Sequence, residues 1–377
     1  MDGPRRLLAG APLMFARTLG LFRGKAITIP PMDGALRPNT ILDDAPSLLD
    51  IARPDNLAWI EDRLVFSSDN KVMAVNQSGA TPATEVIAEF PAPVACLAAR
   101  AGGGSAVGLD NGQIMVWDAE GSAATIDSVG PAKLRCPTAL LFLDQNTLVV
   151  CQGSAEVAPS KWARDLMQHG ASGSVWRIEL SAGKQTCLGA GLAFPNGLLA
   201  DEAGSGLIVA ESWKHRLVRL SPEGLAIAKP VLGNLPGYPC RLSPAGDGGA
   251  WLCLFAPRNR LIEFVLQEED YRRGMIQEIE PQFWIAPALT THESFLEPLQ
   301  CGGVKTMGIN KPWAPSRSYG LLVRLNKDFQ PVASFHSRAS GRRHGLTSAI
   351  EIGERVLAAS KGGDAILALD AASKARS

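Results

Sequence analysis

The chain carries no surplus of charge. Thirty-seven Lys and Arg residues balance thirty-seven Asp and Glu, so its 377 residues are formally neutral. Such a chain has no field to gather nucleic acid or an anionic membrane, and a nucleic-acid partner is not expected. No CxxC pair occurs among the seven cysteines, Cys96, Cys136, Cys151, Cys187, Cys240, Cys253 and Cys301. That argues against a zinc ribbon or a redox pair. Most lie in apolar runs, where a thiol behaves as a small hydrophobe. Cys136 and Cys151 flank one candidate hairpin and could pair, but a reduced cytoplasmic protein is the simpler reading. P-loop, HExxH and GxSxG patterns are missing, as is GxGxxG in a strand–helix context. Nucleotide, zinc-protease and serine-triad chemistry therefore has no motif behind it. Long apolar runs are missing too. Leu7–Ala16 follows Arg5-Arg6 like the start of an export signal, but Arg17 and Arg23 bound a stretch too short to span a bilayer. The expected location is cytoplasmic, the alternatives being peripheral membrane attachment or export through this segment.

What the chain has is glycine, 38 residues of it, and 46% hydrophobic residues gathered in short runs. Phe194–Leu220 shows the pattern: Pro195-Asn196-Gly197 opens a turn, Leu207–Ala210 is apolar, Glu211–His215 breaks it, and Arg216–Leu220 alternates. Related units open at Asp55, Val94, Cys136, Tyr238 and Leu346. The second contains Asp110-Asn111-Gly112, a strong hairpin signal between apolar runs. Six units of two or three strands, most about 40 residues apart, predict an all-β, six-bladed β-propeller. Residues 1–48 read as an N-terminal arm and linker, and 49–371 as the propeller. Insertions at about 152–173 and 257–318 fall between the second and third strands of units three and five. They are expected to cover one mouth of the central channel as lid and pocket wall.

In a propeller the innermost strands line the channel, so the residues that open them are the candidate site. They read Asp55, Cys96, Thr138, Asn196, Cys240 with Arg241, and Ser348. Asp55 and Asn196 suit a hard cation such as calcium, which takes six to eight oxygens. Arg241 would oppose a cation, or would pair with Asp55 and hold a substrate anion. His344, ahead of the sixth inner strand, is a candidate general base. Trp284, Trp313 and Tyr319 of the second insertion are candidate walls of a substrate pocket.

The run FPNGLLADEAGSGLIVAESWKHRLVRL, then LPGYPCRLSPAGDGGAWLCLFAPRN and the tail HGLTSAIEIGERVLAASKGGDAILALD, resembles the strictosidine synthase-like proteins. These belong with the SMP-30/gluconolactonase and paraoxonase-type propellers. The resemblance covers about residues 50–370 and implies a six-bladed propeller with small-molecule enzymology. It implies a channel calcium held by a Glu, by Asn residues and by an Asp. Here Asp55 stands at the Glu and Asn196 at the Asn of FxNG. Thr138 replaces a middle Asn, and Tyr238-Pro239-Cys240-Arg241 replaces Tyr-Pro-Asp-Asn. The final-blade glutamate of strictosidine synthases falls at Ser348. The activity so implied is hydrolysis of a lactone or ester at the channel mouth. The alternatives are a metal-free bond-forming or isomerising enzyme and a non-catalytic ligand-binding propeller.

Overall fold

The computed structural model describes residues 28–76, 82–201, 206–224, 229–291, 297–298, 305–306, 309–310 and 316–371. Six four-stranded antiparallel sheets form the blades. Their inner strands are Pro54–Ile60, Val94–Ala99, Pro137–Phe142, Pro195–Asp201, Gly237–Pro244 and Leu346–Ile352. Each inner strand touches the next around the ring, and the last returns to the first.

The second strands explain the apolar runs. Leu148–Gln152, Leu207–Glu211 and Ala250–Pro257 are buried at every position. Radial stacking sandwiches each sheet between two neighbours, so both faces of these strands meet core. The fourth strand of each blade was not expected from sequence. Ala83–Glu89, with five of seven positions exposed, shows why: an outer strand needs no apolar run. At the predicted hairpin, Gly112 has φ of 86°, and a Cβ there would meet the Leu134 carbonyl oxygen at 2.3 Å. Turn conformation and close approach both require glycine.

The linker-like stretch ahead of blade one is bound into the fold. Leu42 is fully buried, and Asn39 donates to Ser334 O (2.9 Å) and accepts from His336 N (3.0 Å). Ser47–Asp50 then pairs antiparallel with Ala365–Asp370 as the outer strand of blade six. The ring is thus closed by a strand from before blade one.

Both insertions lie over one face and pack on each other. Met167, at the end of helix Trp162–Met167, is buried with Val265, Met275, Trp284 and Ala286 of the second insertion. Arg272 Nη1 donates to Met167 O at 2.7 Å, and His169 Nε2 lies 2.6 Å from Leu266 O. Cys136 and Cys151 are buried free thiols, not a disulfide.

Candidate functional site

Every inner strand carries a register shift near its mouth end. Ala95, Thr138, Asn196 and Thr347 are each an extra residue between two paired neighbours. Cys240 and Arg241 together face one residue of the next strand, as do Asn56 and Leu57. A bulge turns one side chain out of the sheet's alternation. Ala95, Thr138, Asn196, Cys240, Arg241 and Thr347 all line a single cavity of about 300 Å³ at the mouth, with Asp55 beside them.

Asp55 organises the floor of this cavity. It is 3% exposed, yet Arg241 Nη1 lies 3.0 Å from Oδ1 and Lys361 Nζ 2.8 Å from Oδ2. The backbone N–H of Asn56 donates to Oδ1 at 2.7 Å. Burial alone would raise the carboxyl pKa, but the Arg241 and Lys361 charges outweigh it and hold Asp55 at about 2. Asn196 lines the cavity with its amide unpartnered among the described residues. Thr138 is already used: its hydroxyl donates to Pro195 O at 2.5 Å, joining blades three and four. The Cys240 thiol lies 3.3 Å from Cys253 O, and burial pushes its pKa up to about 12, so it is no nucleophile. Apolar walls come from Phe194, Phe255, Trp162 and Leu289, the last two from the insertions. The lid is anchored by Ser160, whose N–H and hydroxyl both donate to the Asp110 carboxylate, at 2.7 and 2.8 Å.

Asp55, Thr138, Asn196, Cys240 and Arg241 are therefore together, as the sequence predicts. Other candidates stand elsewhere. Cys96 and Ser348 lie one residue past the bulge and line a second, deeper cavity of about 90 Å³. Ser348 Oγ accepts from Leu57 N at 2.9 Å, linking blades six and one. His344 is 4% exposed behind the wall, with Nδ1 2.7 Å from Ser318 Oγ and Nε2 2.8 Å from Arg338 O. It does not line the mouth. Nor does Trp284, which donates to Ile279 O and fills the core between the insertions. Tyr319 is likewise buried, its hydroxyl 3.1 Å from His336 Nδ1. Trp313 lies outside the described residues.

Lys361, Asp69 and Asp110 also line the mouth, and the starts of the inner strands do not point to them. Each follows directly on a second strand, Arg355–Ser360, Arg63–Ser68 or Ser105–Leu109. An antiparallel second strand returns to the face its inner strand left, so its end is the other source of mouth residues.

The charge arrangement does not suit calcium. Both Asp55 oxygens already face full positive charges, and a divalent ion would need them at about 2.3–2.6 Å. Among the described residues no three His, Cys, Asp or Glu side chains converge as a metal cluster.

No described protein family and no curated protein matches this chain in sequence. Solved structures match its shape. A gluconolactonase from Xanthomonas campestris superposes with a TM-score of 0.56 at 14% identity, covering 92% of this chain and 95% of that one. A putative gluconolactonase gives 0.53 at 10% identity, covering 86% and 91%. A luciferin-regenerating enzyme gives 0.49 at 14%, covering 84% and 86%. The chain is a six-bladed β-propeller with the fold of the gluconolactonases.

Proposed function

We propose that the channel mouth hydrolyses a small lactone or ester without a metal ion. The observation that carries this reading is the Asp55 carboxylate held between Arg241 and Lys361, at 3.0 and 2.8 Å, on the floor of a walled cavity beside the open Asn196 amide. Lys361 has ammonium protons beyond the one given to Asp55, and Asn196 has two amide protons. Directed at a carbonyl oxygen, these donors stabilise the negative charge that builds as water adds. Asp55 accepts from the attacking water and orients it. With a pKa of about 2 it does not keep the proton at neutral pH, and the proton passes to the leaving oxygen as the acyl bond breaks. Trp162, Phe194 and Phe255 hold the apolar body of the substrate.

The test is a panel of lactones and aryl esters assayed with and without chelator. Turnover should survive the chelator, and Lys361→Met should lower kcat/KM by about 10²-fold, the usual loss for one oxyanion donor. Full activity in Lys361→Met, or activity only with added metal, would overturn the reading. A second reading, a non-catalytic binding propeller, draws on the same low Asp55 pKa, which makes it a weak base. It would be adopted if panel members raise the melting temperature but are recovered unchanged.

A further inference from the structure

Arg241 crosses the channel. It leaves blade five, and its Nη2 donates to the carbonyl oxygen of Ala95 in blade two, on the opposite side of the ring, at 2.6 Å. Its Nη1 lies 3.3 Å from the carbonyl oxygen of Thr347 in blade six and 3.0 Å from Asp55 Oδ1 in blade one. One guanidinium therefore binds oxygens from three other blades. It also divides the channel: it lines both the 300 Å³ mouth and the 90 Å³ cavity beneath. Ala95 and Thr347 are bulge residues, so the shifts that shape the mouth also point their carbonyl groups at this side chain.

Around the guanidinium stand Ala95 O, Thr347 O and Asp55 Oδ1, with Asp55 Oδ2 turned to Lys361. Main-chain carbonyl and carboxylate oxygens are the donors a hard divalent cation takes. A cation is required there for a plain reason. Two carbonyl dipoles and a buried carboxylate gathered around one guanidinium, Ala95 O at Nη2 and the other two at Nη1, repel each other unless positive charge lies between them.

We propose that the propeller axis holds a latent divalent-cation site, kept closed by the protein's own cations, Arg241 and Lys361. The pair does the work of a bound metal, cross-linking the blades and neutralising Asp55. The wild-type channel therefore excludes calcium, and removing both side chains opens an oxygen-lined site for it. The claim concerns ion binding, and its test uses no substrate, so it stands or falls apart from hydrolysis.

The experiment compares melting temperatures of wild type, Arg241→Lys, Lys361→Met and the double variant Arg241→Ala/Lys361→Met, in chelator and in millimolar calcium. Titration calorimetry with calcium accompanies it. The first three should melt at the same temperature in both conditions. The double variant should melt lower than wild type in chelator, recover several degrees with calcium, and give a saturable calcium isotherm. Calcium binding or a calcium-dependent shift in wild type or Lys361→Met would overturn the proposal. So would a folded double variant, judged by circular dichroism, that calcium leaves unchanged. If the double variant does not fold, calcium titration of Lys361→Met decides: no response supports the proposal, and a response refutes it.

Discussion

At the scale of the residue, buried groups set acid stability, and His336 and Asp55 act in different parts of the pH range. His336 is fully buried against Tyr319 and Ser334. Burial first, with the Arg338 charge adding, holds its imidazole at about 4, below the ordinary 6.5. The unfolded chain takes up that proton first, so this contribution is whole above pH 6.5 and is lost as pH falls toward 4. Asp55 acts lower down. Its folded pKa of about 2 lies below the ordinary 3.8, so its contribution is whole above 3.8 and is lost as pH falls toward 2. The gap corresponds to about 2 kcal/mol. A melting profile from pH 8 to 2 should therefore decline in two limbs. Asp55→Asn should keep the upper limb, shrink the lower one to the share of Glu263, which His215 and Arg258 also hold at about 2, and cost about 3–5 kcal/mol at neutral pH by leaving two cations short of a partner. A lower limb as large in Asp55→Asn as in wild type would mean that Asp55 does not contribute to it.

At the scale of the element, the inner strand and its bulge decide what was legible. Turn residues and apolar runs recur with the blade period, so the blade count and the inner-strand starts could be read directly. At two blades the structure differs from the sequence pattern by a single position. The sequence pattern puts Cys96 at the mouth where Ala95 stands, and Ser348 where Thr347 stands. A bulge adds one residue, and one residue moves a strand's side chains to its other face. No composition marks which residue is the extra one. Asn196 lines the mouth at the position its turn signal marks, and the glycine after it lies tight against the next blade: a Cβ on Gly197 would lie 2.2 Å from Cys240 O. Gly197→Ala should therefore cost about 1–3 kcal/mol by overpacking this contact. Urea unfolding would check it, and a neutral result would show that blades four and five can part without loss. Lys361 was not legible because it sits in a turn, where charged residues are common, and only the return of its strand brings it to Asp55.

At the scale of the whole molecule, the ring is closed by four residues. Ser47–Asp50 supplies the outer strand of blade six, and Arg53 N donates to Asp364 Oδ1 across 311 positions of chain. Deleting residues 1–50 should expose the edge of Ala365–Asp370, lower the melting temperature by about 10 °C or more, and promote aggregation. Light scattering during a thermal ramp would record it; a truncated chain that melts with wild type would show that the clasp is dispensable. The clasp also imposes an order of events in synthesis. Its strand leaves the ribosome ahead of every blade, but its partner is made only after the first five blades. Until then blade six does not exist and blade one has one flank open. The closing step is the longest-range pairing in the fold, and such contacts form slowly. Newly made chains are therefore most open to chaperones and proteases while this strand waits for its partner.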